Sequence, residues 1–428
     1  MEKLKVIILG AGNRGNRYAK HMCENPEKYQ IVAMADPQKS RQELFQERYG
    51  VPAEMCFDSW QDVLALPKMA DIVVVATVDN MHYEPAMKAI ELGYNLLLEK
   101  PVAQTAQECA DIAKAANEKG VSVLVCHVLR YTPFYGKIKE LVMAGTIGDI
   151  VSVEQVEAIG NVHFGHSYVR GNWHCEAEAT PMLLAKSCHD LDIVQWLLDK
   201  PCKRVQSFGS LTHFRSENAP EGAPVRCIDG GCPVGKTCPY NCIKQYVEDK
   251  ENRRRKIISS GYSKHFVPED EEVIEALKNK DYGLCVYHAN NDVVDHQTVN
   301  MEFEGGVTAT LTVNAFNKGG RYTRIYGTKG ELWAYMRNDH IDINTFEDNR
   351  HWTVPVLKTE ESINGGHGGG DEGIVKELYE YMSGQYEGYR AADINTSVKN
   401  HIIGFAAEES RHNGTVVSVE EKLKAYGL

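Results

Sequence analysis

"LKVIILGAGNRG", residues 4–15, decides the fold. An apolar β-forming run stops at Gly10, Gly12 and Gly15, spaced G-x-G-x-x-G. A helical pattern through Tyr18, Ala19 and Met22 starts at once. Each glycine has its own reason: a tight turn, close approach of backbone to a pyrophosphate, and contact between helix and strand. The helix start offers its unpaired N–H groups to the phosphates. The stretch predicts the phosphate-binding turn of a dinucleotide fold.

That spacing alone is weakly specific, so its surroundings matter. "QIVAMAD" ends in Asp36, about twenty residues beyond the last glycine, where a ribose-binding acid belongs. Strand-like runs follow at 71–77, 95–99 and 121–127, alternating with helical patterns at 38–49, 81–93 and 105–119. This rhythm predicts a doubly wound parallel sheet. A carboxylate at Asp36 accepts from a ribose 2′-hydroxyl and repels a 2′-phosphate, which favours NAD. Lys39 and Arg41 lie just beyond and keep NADP open.

The whole chain sets bounds. Its 428 residues suit two domains, and 43% apolar residues supply sizeable cores. With 47 basic against 59 acidic residues the net charge is −12, which argues against nucleic acid or an anionic membrane as the main partner. The apolar run Val6–Leu9 is too short for a signal peptide or a spanning helix. The twelve cysteines then read as reduced thiols of a cytoplasmic protein.

"NLLLEKPVA" places Glu99, Lys100 and Pro101 at the carboxyl end of a strand, the edge where open α/β sheets bind ligands. With "GAGNRG", "ATVDNMHYEPAMKAI" and "LRYTPFYGKIKELVMAGTIGDI", it resembles the glucose–fructose oxidoreductase / inositol dehydrogenase / MocA family. The resemblance runs through residues 4–214 and resumes at about 285–415, with "GTKGEL" at 327–332 and "HGGGD" at 367–371. It implies an α/β protein: a Rossmann domain over residues 1–128, then a domain over 129–428 with a large, open, mostly antiparallel sheet. Such a sheet commonly supports a homo-oligomer, here a dimer or tetramer. It also implies that Asn13, Arg14, Thr77, Asn80, His82, Glu99 and Lys100 join Gly10, Gly12, Gly15 and Asp36 around the cofactor, Lys100 reaching the substrate too. Strand patterns at 149–160, 203–214, 297–316 and 323–336 agree, and "EGGV" (304–307) marks a hairpin.

"LLAKSCHDLD", 183–192, sets Lys186 and His189 on one side of a helix whose apolar stripe is Leu184, Cys188, Leu191, Val194 and Leu198. Ile193, Trp196 and Leu197 flank the pair, so it is no plain solvent face. By residue type alone, a lysine reaching to water beside a core histidine is as good a reading as a reaction centre. The resemblance favours the centre. Many members carry Asp-x-x-x-His here, and the histidine exchanges a proton with the substrate hydroxyl. His189 matches it, but the aspartate position is Ala185, with Lys186 next in line. An imidazole without a carboxylate partner is less basic and less firmly oriented.

Upstream, "NVHFGHSYVRGNWHCE" crowds His163, His166, Ser167, Tyr168, Arg170, Trp173 and His174 into one stretch, suited to a polyhydroxylated ligand. "CVYHANNDVVDHQ" (285–297) offers Tyr287, His288, Asn290, Asp292 and Asp295, candidates for supplying the missing acid. Between them, a Gly/Pro-rich insertion (215–285) holds Cys227, Cys232, Cys238 and Cys242, four thiols able to close a structural zinc site at non-standard spacing, with free thiols as the rival reading. "ENRRRK" (251–256) reads as a solvated helix face. At 395–414 a helix is expected to stop at Gly414, with Lys399 and His401 able to face the cleft.

These readings converge on an enzyme: an NAD-dependent oxidoreductase of a sugar or glycoside hydroxyl, with His189 as base and Lys100 and Lys186 beside it. His163, His166, Tyr168, Arg170, Trp173 and Lys186 are the expected substrate contacts. A redox-neutral, NAD-dependent glycoside hydrolase is the rival, since relatives on this fold resemble the "SYVRGNW" and "LLAKSCHDLD" stretches. A non-catalytic nucleotide-binding sensor is third, supported by the lost aspartate alone.

Overall fold

The computed structural model describes residues 2–260, 267–358 and 366–428. The apolar run Leu4–Leu9 forms β1, and Val6 to Leu9 are fully buried because helices cover both faces of the sheet. The next elements are α1 (Asn13–Cys23), β2 (Tyr29–Ala35), α2 (Lys39–Tyr49), a short β3 (Cys56–Phe57) and α3 (Trp60–Leu64). They continue through β4 (Ile72–Val75), α4 (Tyr83–Glu91), β5 (Asn95–Leu98), α5 (Ala106–Lys119) and β6 (Val123–Val125). The six strands are parallel in the order β3-β2-β1-β4-β5-β6. The order reverses beside β1, so the glycine turn opens at the switch point where such sheets bind ligands.

The second domain is built on β7 (Ile150–Ala158), β8 (Cys202–Ser210), β9 (His296–Phe303), β10 (Thr308–Asn314) and β11 (Gly320–Gly327). It continues with β12 (Gly330–Tyr335), β13 (His340–Thr345), β14 (His351–Pro355) and β15 (Val417–Ser418). These nine strands form one sheet in the order β14-β13-β12-β11-β7-β10-β9-β8-β15. All pairings are antiparallel except β7 with β10. The expected "EGGV" hairpin joins β9 to β10. Gly305 and Gly306 take φ of 77° and 78° there, a backbone that side chains with a Cβ resist. Two strands not expected from the sequence, β13 and β14, extend the edge.

The helix with the lysine–histidine pair runs Met182–Leu198, and the apolar stripe is only part of what it buries. Fifteen of its residues are buried, because it lies between the large sheet and the helix Ile394–Asn413. That last helix ends in the left-handed Gly414 as expected. The chain also returns to the first domain. Ile374, Val375 and Leu378 of helix Gly370–Met382 pack into the Rossmann core, and the Tyr29 hydroxyl donates to the Val375 carbonyl at 2.7 Å. The basic run is not wholly solvated: Arg255 is buried, donating to the Tyr246 carbonyl and pairing with Asp270.

Candidate active site

The glycine turn fits a dinucleotide. A Cβ on Gly10 would lie 2.5 Å from the Ala76 carbonyl oxygen, and one on Gly15 would lie 1.9 Å from that of Gly10. A Cβ on Gly12 would meet only an Arg41 nitrogen at 3.8 Å, so this glycine faces open space where a phosphate can approach. Gly12 is also the N-cap of α1 and offers no side chain to its first N–H groups, with exposed Asn13 following it. Asp36 is buried at the end of β2, accepting from the Ala11 N–H and from Arg41, each at 2.9 Å. Its charge is thus held beside the turn, as a ribose partner requires.

Arg14 leaves the turn toward the second domain. Its guanidinium lies 2.5 Å from Glu99, 2.8 Å from Asp371 and 3.3 Å from the Nδ1 of His367. Burial raises the Glu99 carboxyl, but Arg14 and Lys100 outweigh it and hold Glu99 below the usual carboxylate range. His82 is buried and clasps two loops, contacting the Pro101 carbonyl at 2.7 Å and that of Thr77 at 3.2 Å. It positions the Lys100 loop, while Asn80 is exposed above it.

Lys100 and His189 come together. The Lys100 ammonium donates to the Ala185 carbonyl at 2.9 Å, so backbone oxygen meets it at the position where the resemblance led us to expect an aspartate. His189 is buried, and neither ring nitrogen has a hydrogen-bond partner among the described residues. Burial first, then the charges of Lys100 and His367, hold its pKa well below the ordinary value, so the imidazole is neutral. The rings of His367 and His127 stand 5.6 and 6.0 Å from it. Behind His127 lies Asp192, 3.7 Å away and already clamped by Arg130 and Asn400. The acids expected from 285–297 do not reach this centre: Asp295 accepts from the backbone of Thr212 and His213, and Asp292 from that of Glu176.

Lys186 points the other way, to the sheet. Its ammonium lies 3.3 Å from Glu157 at the end of β7, and Arg321 at the start of β11 lies 2.5 Å from the second Glu157 oxygen. Arg321 also reaches Asp190 at 3.0 Å. Burial raises the Glu157 carboxyl against Arg321 and Lys186, and burial lowers Lys186 against Glu157. Glu157 escaped the sequence reading, yet a signal exists. Val153, Gln155 and Glu157 alternate onto one buried face of β7, and polar groups on a core face demand a reason.

The expected substrate stretch divides. Trp173 donates to Asp79 at 3.0 Å and so bridges to the loop after β4. Tyr168 is buried, and His163 lies close enough to Lys186 for that charge, after burial, to depress its pKa. His166 and Arg170 turn instead to the insertion: His166 meets the Tyr246 hydroxyl at 3.0 Å, and Arg170 donates to the Leu284 carbonyl at 2.7 Å. His401 lies behind the Lys100 loop, accepting from the Val102 N–H at 3.0 Å, while Lys399 is exposed. The zinc expectation for Cys227, Cys232, Cys238 and Cys242 is corrected. Among the described residues no three histidine, cysteine or acidic side chains are arranged to hold a metal ion, and Cys242 is buried in a separate apolar cluster.

Comparison with known proteins agrees with this architecture. Residues 4–127 match the oxidoreductase family described as an NAD-binding Rossmann fold, and residues 139–419 match its C-terminal alpha/beta domain. The Bacillus subtilis protein YteT, named as an oxidoreductase, is 26% identical over 393 residues, covering 87% of this chain and 88% of its own. The Escherichia coli 2,7-anhydro-N-acetylneuraminate hydratase is 27% identical over 48% of this chain and 53% of its own. A levoglucosan dehydrogenase solved with NADH and L-sorbose shares the fold, with a TM-score of 0.69 at 18% identity, over 98% of this chain and 99% of its own. This chain is a member of the Gfo/Idh/MocA oxidoreductase family, an enzyme family with an NAD-binding Rossmann domain.

Proposed function

We propose that this enzyme oxidises a hydroxyl of a sugar or glycoside with NAD. The observation that carries the reading is the neutral, unpartnered His189 imidazole beside the Lys100 ammonium, at the carboxyl edge of the parallel sheet. When bound, the nicotinamide supplies a hydride acceptor. His189 takes the hydroxyl proton on a free ring nitrogen, and Lys100 stabilises the alkoxide as it develops. Gly10, Gly12, Gly15 and the α1 N-terminus hold the pyrophosphate, and Asp36 the adenosine ribose, which favours NAD over NADP. Polar Trp173, Tyr168 and His163 suit a carbohydrate. No helix of the described residues is long and apolar enough to cross a membrane. The open face of the large sheet, with Phe208 58% and Trp333 42% exposed, supports a homo-oligomer.

A second reading is favoured by one observation, the extra buried pair Lys186–Glu157. Redox-neutral glycoside cleavage oxidises a sugar hydroxyl, commonly at C3, removes the acidified neighbouring C–H proton, expels the aglycone, adds water and returns the hydride. It needs a proton donor and acceptor beyond Lys100 and His189, and this pair supplies them. Incubation with p-nitrophenyl glycosides and free sugars, with and without NAD, separates the two. NADH accumulating with free-sugar consumption supports the dehydrogenase; nitrophenol release without net reduction supports the glycosidase. Neither, with NAD still bound, leaves the sensor.

A further inference from the structure

The insertion reaches beyond the substrate loop, to the loop that carries the ribose acid. The Ser260 hydroxyl donates to the side-chain carbonyl of Gln38 at 3.0 Å, a contact across 222 residues of sequence. Gln38 stands two residues past Asp36, and its backbone N–H donates to the Asp36 Oδ1 at 3.0 Å. The other carboxylate oxygen, Oδ2, accepts from the Ala11 N–H and from Arg41. The Arg41 guanidinium is also the group nearest a Cβ placed on Gly12, so it borders both Asp36 and the glycine turn. The insertion approaches it a second time through Lys280. That ammonium donates to the Ile258 carbonyl at 2.8 Å and the Ser260 carbonyl at 2.6 Å. It lies close enough to Arg41 for that charge, after burial, to depress its pKa.

Both residues are held in place by the insertion itself. Ser260 follows the short helix Arg254–Ile258, which buried Arg255 fixes. Arg255 donates to the carbonyls of Tyr246 at 2.6 Å and Pro268 at 3.1 Å, and to Asp270 at 2.8 Å. Lys280 caps the end of the helix Asp270–Asn279. A contact between distant segments made only for stability buries apolar side chains. Here Gln38, Arg41, Ser260 and Lys280 are polar and half-buried. Polar groups set around an open glycine turn suit a guest that carries hydroxyls and phosphates.

We propose that the insertion forms the outer wall of the adenosine half of the cofactor site, with Ser260 and Lys280 as the residues that position it. With Asp36 as the ribose partner, the reading on which this rests, the dinucleotide lies between the glycine turn, Asp36 and the wall. Ser260 steadies Gln38 and so the loop that presents Asp36. Lys280 steadies Ser260. The same insertion is tied to the substrate loop, where Arg170 donates to the Leu284 carbonyl at 2.7 Å. One segment therefore touches the adenosine side and the substrate side of the site. Its role is retention, and its loss is read chiefly in the rate at which cofactor leaves.

The test titrates the full chain with ADP-ribose, which carries the adenosine half alone, and with NAD, both by calorimetry. Ser260→Ala and Lys280→Met should each weaken both ligands by about 3–10-fold, the range for one hydrogen bond. Release of NADH, followed by stopped-flow fluorescence, should quicken by a similar factor. Ser260→Thr keeps the hydroxyl and should restore the affinity. Unchanged ADP-ribose affinity in Ser260→Ala and Lys280→Met, with a loss in Asp36→Ala, overturns the wall and leaves Asp36 as the ribose partner. A loss in Ser260→Ala that Ser260→Thr does not restore overturns the role of the hydroxyl. ADP-ribose affinity unmoved in Asp36→Ala removes the ribose reading and the wall with it. No sugar enters these titrations, so failure here is distinct from failure of the sugar-oxidation reading.

Discussion

The Lys186 ammonium sits 3.3 Å from Glu157, and the same carboxylate is held from its other side by Arg321. Two cations and one carboxylate are buried together, with Asp190 as the second acid behind them. Lys186 therefore does not stand in for the aspartate expected one position earlier. It pairs with Glu157 on the sheet side of the site, and we propose that this pair handles the additional proton transfer of glycoside cleavage. Lys186→Met should lower turnover by about 10²–10⁴-fold, the range for a lost proton-transfer group, with NAD affinity unchanged. Burial lowers the lysine's pKa and Glu157 opposes it, so Glu157→Gln removes that opposition. The limb of the rate profile that falls with lysine deprotonation should then move to lower pH. An unmoved profile in Glu157→Gln argues that the pair is structural.

His189→Ala should abolish turnover and leave NAD bound, as measured by cofactor fluorescence. Because burial and Lys100 hold the imidazole well below its usual pKa, wild-type kcat/KM should show no histidine break near pH 6.5. A wild-type break near pH 6.5 would contradict the neutral, buried base.

Asp36 also anchors its own loop, through the Ala11 N–H and Arg41. Asp36→Ala should weaken NAD binding by roughly 10-fold, about one charge-assisted hydrogen bond, and narrow the preference over NADP. Titration of both cofactors reads it. A variant that still prefers NAD by the wild-type ratio would move cofactor selection elsewhere.

Buried neutral histidines set an acid limit to stability. Burial, ahead of neighbouring charges, lowers His127 to about 4 and His166 and His401 to about 3. The unfolded chain binds their protons near pH 6.5 and the folded chain does not. Stability is full above that value and falls as pH drops from about 6.5 toward 4, by up to about 1.4 kcal/mol per pH unit for each histidine. Burial raises Asp371, but His367 and Arg14 outweigh it, so its contribution is lost only as pH falls through the carboxylate range and below. Thermal melts from pH 7 to 5 should therefore report the histidines, with a steep loss of Tm that His166→Phe reduces.

Trp333 lies on the open face of the large sheet, 42% exposed. Trp333→Glu should shift the mass seen by light scattering from a dimer or tetramer toward the monomer, with the melting profile unchanged. A wild-type chain that is already monomeric would remove this face from consideration.

Local chemistry made much of this legible. The glycine spacing, the apolar strand runs and the acid after β2 each act within a few residues, so the parallel sheet and its switch point follow from neighbours in sequence. The places of Glu99-Lys100-Pro101 after a strand and of His189 on a helix were legible for the same reason, each being a short motif on a recognisable element. The arrangement of the cysteines in the insertion was not. Cys242 follows the other three in sequence but points into a hydrophobic cluster, while Cys285 arrives by a backbone pairing across the insertion.

By itself the sequence determined the first domain, the helix that carries His189 and the kind of enzyme that such a helix serves. Only the tertiary structure decided what surrounds that histidine. His127 and His367 come to it, and Glu157 and Arg321 to Lys186, from four distant segments, and each was uninformative until packing removed water from it. Long-range contacts select partners through burial and charge compensation, which no local pattern encodes. The return of Gly370–Met382 to the Rossmann core, and of Asp371 to Arg14, was decided in the same way.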